Sequence, residues 1–144
     1  MFSYFVINVV EPAASSTSKE VCLPGNPNNA NLMLTGTEGT LQTPLEFYPT
    51  DLVCVWLIIV PKGKRVELNF ERFDISPIGC FDHVQIFDGE TDQSPSLEQY
   101  CGDSVLKEVR STGRHMLVRF YSDSESGELH TGFKASFKAI SGKL

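Results

Sequence analysis

The feature that most constrains the fold of this 144-residue chain is a largely regular alternation of apolar and polar side chains in three separate stretches. The stretches are "VELNF" (66–70), "MLVRFYS" (116–122) and "GFKASFKA" (132–139). Successive side chains of a β-strand point to opposite faces of its sheet, so this period predicts strands with one buried and one wetted face. One wetted face is typical of antiparallel sheets.

A fourth stretch, "VCVWLIIV" (53–60), is almost continuously apolar, which predicts a central strand covered on both sides. Turn-forming residues separate the strands at "PKGK" (61–64), "DGETD" (88–92), "STGR" (111–114) and "ESGE" (125–128). Short strands joined by turns, with no helical pattern between them, predict an all-β sandwich of two antiparallel sheets. The expected core aromatics are Trp56, Phe70, Phe120, Phe133 and Phe137.

Composition narrows the class of protein. The chain has 18 acidic and 12 basic residues, a formal net charge of −6 and no basic stripe, which argues against a nucleic-acid partner. The length fits one domain with a substantial core. The mild acidity is compatible with an extracellular or cation-binding protein.

Four widely spaced cysteines indicate the redox environment. Cys22, Cys54, Cys80 and Cys101 include no C-x-x-C pair, so disulfides in a secreted domain are favoured over a zinc site or free thiols. Four cysteines allow three pairings, and their spacing does not choose among them.

Residues 1–20 are predicted to be a separate N-terminal segment. An apolar run at 1–10 precedes small residues, as in a signal peptide, but no Lys or Arg precedes it and Glu11 and Pro12 follow it. The alternatives are a truncated signal, an unusual start of a fragment, or a strand. The run is too short to span a bilayer as a helix, and no other segment is a candidate, so no membrane span is expected in this chain.

No motif predicts catalysis. "CGDSV" (101–105) resembles the Gly-Asp-Ser of trypsin-like proteases, but Val105 follows Ser104, so the glycines that shape the protease oxyanion loop are absent. His83, His115 and His130 lack metal-ligand spacing, and we expect each to face solvent. We therefore expect no enzymatic activity from this chain by itself.

An ordered set of short motifs resembles the CUB domain over about residues 22–140. The set comprises Cys22 before "GTEGTLQTP", Tyr48-Pro49, Cys54 two residues before Trp56, "VPKGKRVELNFERFDI", "CFDHVQIFDG", "YCG", "MLVRFYSD" and "TGFKASF". The resemblance implies a jelly-roll-like β-sandwich with disulfides Cys22–Cys54 and Cys80–Cys101. The chain departs from the family pattern at "LQTPLEFYP". We accordingly expect the domain at 21–141 and a C-terminal tail at 142–144.

The resemblance also implies a candidate calcium site at one end of the sandwich. Many CUB domains bind one calcium ion through a glutamate and two aspartates, with a tyrosine hydrogen-bonded to one acid. Asp82, Asp123 and Tyr48 match three of these positions, whereas Ser76 stands where the family has glutamate. Calcium takes about six to eight oxygen ligands, so a site without this carboxylate is expected to be weak. The alternative is that no calcium binds and that the two aspartates only shape a strand end and a turn.

The expected function is protein recognition by a non-catalytic extracellular module. The acidic end loops that we expect to bind the partner are 74–82, 88–99 and 121–131. Asp82, Asp123 and Glu125 are the expected partner-binding residues, and a Lys or Arg of the partner is the expected anchor, with or without calcium. The alternatives are a stand-alone secreted binder of glycans or phospholipid head groups, similar to spermadhesins, and a regulatory CUB segment of a modular protease.

Overall fold

The computed structural model describes residues 21–24, 29, 31–44, 46–103, 107–125 and 129–143. Regular structure in this part of the chain consists of β-strands and a short 3₁₀ turn at Ile78–Cys80, with no α-helix. The strands are β1 (Leu32–Thr35), β2 (Glu38–Gln42), β3 (Val53–Ile59), β4 (Lys64–Asp74), β5 (His83–Phe87), β6 (Ser96–Tyr100), β7 (Val109–Arg110), β8 (His115–Tyr121) and β9 (Gly132–Ser141). The all-β prediction is confirmed.

The strands form two sheets that face each other across a shared core. One sheet has five strands in the order β1-β3-β8-β5-β6, and the other has four in the order β2-β9-β4-β7. The neighbouring strands pair antiparallel, except that β1 runs parallel to β3. The chain therefore folds as the predicted jelly-roll-like β-sandwich.

The alternation of side chains on β8 assigns each residue to a layer. Met116, Val118 and Phe120 are fully buried between the two sheets. Arg119 points to the outer face, where its guanidinium lies 5.2 Å from the centroid of the Phe87 ring. The period of two thus predicted correctly which side chains of this strand face the core.

Aromatic rings fill the centre of the sandwich. The Trp56 and Phe133 rings meet edge-on with centroids 5.5 Å apart, and Phe120 lies 6.2 Å from Phe133. Such pairs add about 0.5–1.5 kcal/mol to the free energy gained from burial. Phe137 is also buried, and the partly buried Phe70 packs against this cluster, so the predicted core aromatics are confirmed.

The prediction that β3 is covered on both sides was wrong. Cys54, Trp56 and Ile58 are buried against the other sheet, but Val53 on the outer face is exposed and Val55 is only partly buried. No further layer covers this outer face in the described part of the chain. A continuous apolar run therefore marked a strand with one buried face and one apolar but accessible face.

Two disulfides fasten loops to strands. Cys22–Cys54 joins the segment before β1 to β3, and Cys80–Cys101 joins the loop before β5 to the end of β6. These are the pairs that the family resemblance implies. The bonded residues lie 32 and 21 positions apart. In the chain-entropy model, loops of this size stabilise the fold by about 3–4 kcal/mol each.

The domain boundaries at 21 and 141 stay a prediction. Val21 forms an isolated bridge with Gln42, and β9 ends at Ser141, so the described structure occupies this range. The predicted N-terminal segment at 1–20 lies outside the described residues. Within the described residues, no helix is long and apolar enough to cross a membrane.

Candidate functional site

The residues predicted to form a site come together where several strands begin or end. Asp82 immediately precedes β5, Asp123 lies two residues after β8, and Tyr48 lies between β2 and β3. Because β8 is antiparallel to both β3 and β5, its end lies beside their starts. We call this region, which contains Tyr48, Ser76, Asp82 and Asp123, the loop end of the sandwich.

Asp82 is the centre of a buried hydrogen-bond network. Its Oδ2 accepts a hydrogen bond from the Tyr48 hydroxyl at 2.7 Å, and its Oδ1 accepts one from the backbone N–H of Asp123 at 2.9 Å. Asp82 is only 8% exposed. Among the described residues, no basic side chain forms an ion pair with it. In the described part of the chain, the carboxylate is therefore held by hydrogen bonds and by no ion pair, and a buried charged group depends on such bonds.

Tyr48 connects Asp82 to the segment that follows β4. Its hydroxyl donates to Asp82 and accepts a 3.1 Å hydrogen bond from the backbone N–H of Ser76. Its ring packs edge-on against Phe120, with centroids 4.9 Å apart. Burial, together with the Asp82 carboxylate, raises the pKa of the Tyr48 phenol despite the opposing effect of the Ser76 N–H. The hydroxyl therefore stays protonated and remains a donor.

Asp123 is half-buried and fixes the loop after β8. Its Oδ1 accepts a hydrogen bond from the backbone N–H of Glu125 at 3.1 Å, and its backbone carbonyl accepts one from Asp51 at 2.9 Å. The Glu125 side chain itself points into solvent. The structure thus brings Asp82 and Asp123 together and places the exposed Glu125 in the same loop as Asp123.

Ser76 does not replace the glutamate of the family's calcium site. Its backbone N–H donates to Tyr48, and its hydroxyl accepts a 3.4 Å hydrogen bond from the N–H of Ile78. No cluster of three or more His, Cys, Asp or Glu side chains suited to a metal occurs in the part of the chain that the structure describes. Asp82 and Asp123 are hard oxygen donors of the kind that calcium prefers, but two carboxylates do not match the family's three-carboxylate set.

The loop predicted at 88–99 does not join the loop end. β5 runs from His83 at the loop end to Phe87 at the opposite end, so the turn that follows begins far from the acidic pair. Asp88 is held there by Thr112, whose N–H and hydroxyl each donate to its carboxylate at 2.9 Å. This part of the prediction was wrong, because the direction of β5 excludes it.

A third carboxylate at the loop end, Asp74, was not predicted from the sequence. Asp74 Oδ1 accepts a 2.8 Å hydrogen bond from His130 Nδ1, and its Oδ2 accepts bonds from the N–H and hydroxyl of Thr131 at 3.0 and 3.2 Å. Partial burial acts to raise the pKa of Asp74, but these bonds outweigh it and hold that pKa below its ordinary value. The His130 side chain is 13% exposed, so the expectation that it faces solvent was wrong.

This second network is joined to the first through the backbone. The N–H of Tyr48 donates to the carbonyl of His130 at 3.1 Å. The sequence offered one signal for this network, the polar pair His130-Thr131 directly before the last strand. Only the register that places Asp74 opposite Gly132 shows that the end of β4 meets the segment before β9.

Comparison with known protein families decides which family this sandwich belongs to. Residues 31–137 match the family model described as CUB domain. The chain belongs to the CUB domain family. This CUB domain is 39% identical to human procollagen C-endopeptidase enhancer 1 over 110 residues. The match covers 72% of the chain and 24% of the enhancer, so the domain spans about a quarter of that relative's length.

Solved structures show the same fold. The MASP-1 CUB2 domain bound to Ca²⁺ matches this CUB domain with a TM-score of 0.63 and 26% identity, covering 74% of this chain and 96% of that one. The full extracellular region of zebrafish Gpr126/Adgrg6 matches with a TM-score of 0.66 and 28% identity, covering 78% of this chain and 15% of that one. The relatives are secreted proteins or extracellular regions of membrane proteins, and this CUB domain is extracellular.

Proposed function

We propose that this CUB domain is a non-catalytic module that recognises an extracellular protein through the loop end. The observation that supports the proposal is the buried Asp82 carboxylate, which is tied to Tyr48 and Asp123 but pairs with no cation among the described residues. A Lys or Arg side chain of the partner, placed against Asp82 and Asp123, supplies the positive charge that this site lacks. The exposed Glu125, two residues after Asp123, adds a further carboxylate to this loop.

The charge around the site favours a basic partner. Neither Lys nor Arg occurs within two residues of Tyr48, Asp82 or Asp123 in the sequence. Arg72 lies at the same end, but its guanidinium donates to the carbonyl of Thr131 at 2.7 Å. The chain as a whole has a formal net charge of −6. An acidic surface of this kind accelerates the encounter with a basic surface and disfavours acidic ones, so it contributes to the choice of partner.

A resident calcium ion is not a necessary part of the proposed site. The position of the family's third carboxylate holds Ser76, and the two remaining carboxylates are already fixed by hydrogen bonds within the protein. Any binding of calcium by Asp82 and Asp123 is therefore expected to be weak. We assign the neutralisation of these two charges to the partner's cationic group.

The test compares the wild-type domain with Asp123→Asn on an array of purified extracellular proteins, glycans and phospholipids, with and without calcium. Asp123 is chosen because its side chain is less buried than that of Asp82, so the variant is expected to fold. Glu90→Gln is the matched control, since Glu90 is an exposed carboxylate at the opposite end.

We expect a protein partner whose affinity falls at least tenfold with Asp123→Asn and is unchanged with Glu90→Gln. A partner bound equally by all three proteins would place recognition elsewhere on the sandwich. Selective binding of glycans or phospholipids would instead support the spermadhesin-like alternative.

A further inference from the structure

We propose that an apolar rim makes the loop end a docking surface for a protein segment in which a Lys or Arg side chain is flanked by apolar side chains. The apolar rim consists of Phe47, Ile78, Phe81 and Leu129. The inference rests on the proposed function and specifies the chemistry of the partner that the same site takes.

The rim residues are exposed although they are large and apolar. Their exposed fractions range from 50% for Phe47 to 68% for Leu129. Phe47 directly precedes Tyr48, Phe81 directly precedes Asp82, and Leu129 directly precedes His130. Ile78 follows Ser76 by two residues. Three rim residues are therefore attached directly to residues of the two hydrogen-bond networks, and the N–H of Ile78 donates to the Ser76 hydroxyl.

The concentration of apolar surface at this end distinguishes the rim from scattered exposed residues. Eight large apolar side chains are exposed in the described part of the chain, and four of them are the rim. Val53 and Tyr121 are two others, and they pair on adjacent strands where β3 begins and β8 ends, which is the same end of the sandwich. Single exposed apolar residues are ordinary on protein surfaces, whereas a group rimming a polar centre marks an interaction site.

The segment with Ile78 and Phe81 is held in a fixed shape. The N–H of Phe81 donates to the carbonyl of Ile78 at 3.3 Å, closing a 3₁₀ turn, and the disulfide Cys80–Cys101 ties this turn to β6. The Phe81 ring packs against Gly79, where a Cβ would collide with it and where φ is +58°. A rigid apolar surface loses little conformational entropy when a partner binds, so it suits recognition.

The other half of the rim is held by the two hydrogen-bond networks. The N–H of Tyr48 donates to the carbonyl of His130, which brings the preceding residues Phe47 and Leu129 into neighbouring segments. The hydrogen bond between His130 and Asp74 fixes the second of these segments. Both halves of the rim therefore stand on structured backbone that is connected to Asp82, one half through Tyr48 and the other through the peptide bond between Phe81 and Asp82.

The charge beside the rim favours a protein segment over a membrane. Asp82 directly follows the rim residue Phe81, and the backbone N–H of Asp123 donates to its carboxylate. No Lys or Arg lies within two residues of either aspartate in the sequence, and Arg72, at the same end, donates to the carbonyl of Thr131 at 2.7 Å. Membrane surfaces that recruit proteins by charge attract basic residues, and acidic groups oppose entry into the headgroup layer. A cationic side chain flanked by apolar groups matches both the aspartates and the rim, and aromatic residues and Arg are enriched in protein interfaces.

The test titrates three glycine-flanked peptides into the ¹⁵N-labelled domain and follows its amide signals by NMR. The peptides contain a lysine between two phenylalanines, a lysine between two alanines, or a norleucine between two phenylalanines. The rim variant is Ile78→Ser/Phe81→Ser, with Phe47→Ser/Leu129→Ser as a second variant should the first fail to fold. Met33→Ser is the matched control, because Met33 is exposed and lies outside the rim.

We expect the phenylalanine-flanked lysine to bind at least tenfold tighter than the alanine-flanked one, with shifts at Asp82 and Asp123. The rim variant should lose this difference and still bind the alanine-flanked peptide, and Met33→Ser should behave as the wild type. Equal affinity for the two lysine peptides would overturn the rim and leave the proposed function intact. If the norleucine peptide bound as tightly as the phenylalanine-flanked lysine peptide, the result would overturn the cationic anchor, which the proposed function shares.

A vesicle measurement separates the protein partner from a lipid surface. We expect the domain not to sediment with phosphatidylcholine vesicles, with or without phosphatidylserine. Sedimentation of the wild type that is lost in the rim variant would overturn the assignment of a protein partner.

Discussion

The hydroxyl of Tyr48 donates a 2.7 Å hydrogen bond to the carboxylate of Asp82, 34 residues further along the chain. The same oxygen atom accepts a hydrogen bond from the N–H of Ser76. One phenolic oxygen thus satisfies a buried carboxylate and a backbone donor together, and the stability of the loop end depends on it.

We expect Tyr48→Phe to lower the free energy of unfolding by about 1–3 kcal/mol, because it leaves a buried acceptor and an N–H without this partner. Urea unfolding measures the change. Tyr121→Phe is the control, since the same hydroxyl is removed from an exposed ring and the expected change is within about 0.5 kcal/mol. Equal effects of the two substitutions would show that the Tyr48 hydroxyl contributes nothing specific.

Ser76→Glu places a carboxylate where the family's calcium site has one. We expect saturating calcium to raise the thermal unfolding midpoint of this variant by several degrees, since a ligand at a hundredfold excess over its Kd stabilises by about 2.7 kcal/mol. The wild type and Ser76→Gln should respond far less. A calcium response of the wild type as large as that of Ser76→Glu would contradict our conclusion that the donor set is incomplete.

Asp74 makes stability depend on pH in the acid range. Its pKa is lower in the folded protein than in the unfolded chain, so its contribution is complete above the unfolded value of about 3.9 and is lost as the pH falls through the folded value. At pH 7 we expect Asp74→Asn to cost about 1 kcal/mol, a modest value because 40% of the side chain is exposed.

The measurement is urea unfolding of the wild type and Asp74→Asn from pH 7 to pH 2.5. The difference in unfolding free energy should be constant above about pH 4 and shrink below it. Glu71→Gln is the control, since Glu71 is an exposed carboxylate on the same strand. A difference that grows as the pH falls would contradict the direction of the Asp74 shift.

Gly132 begins β9 with a φ of +84°, a conformation that favours glycine, and a Cβ there would collide with the hydroxyl of the buried Thr43. That hydroxyl accepts a 2.9 Å hydrogen bond from the N–H of Phe133. We expect Gly132→Ala to lower the free energy of unfolding, measured by thermal denaturation, by about 2 kcal/mol or more. Gly113→Ala, where a Cβ meets open space, should be within about 0.5 kcal/mol of the wild type. A tolerated Gly132→Ala would show that Thr43 is free to move.

Local patterns predicted the sheet faces well, because the alternation of side chains along a strand needs no knowledge of its partners. Val66, Leu68 and Phe120 were therefore assigned correctly to the core. Strand β2, "EGTLQ", was not predicted, since it has little apolar alternation and is held by pairing with β9 across almost a hundred residues.

The site was predicted as far as the family motifs reach. Asp82, Asp123 and Tyr48 do meet, but the pairing of Asp74 with His130 depends on the register of β4 against β9, which no local motif specifies. The prediction that the loop at 88–99 joins the loop end failed for the same reason, because the direction of a strand is a property of the assembled sheet.

The loop end draws on both layers of the sandwich. Asp82 adjoins a strand of the five-stranded sheet, Ser76 follows a strand of the four-stranded sheet, and Tyr48 bonds to both. Two residues before Asp82, the disulfide of Cys80 leads covalently to β6. A tensile force applied through a bound partner is thus shared between both layers and a covalent link, instead of peeling a single strand from its edge.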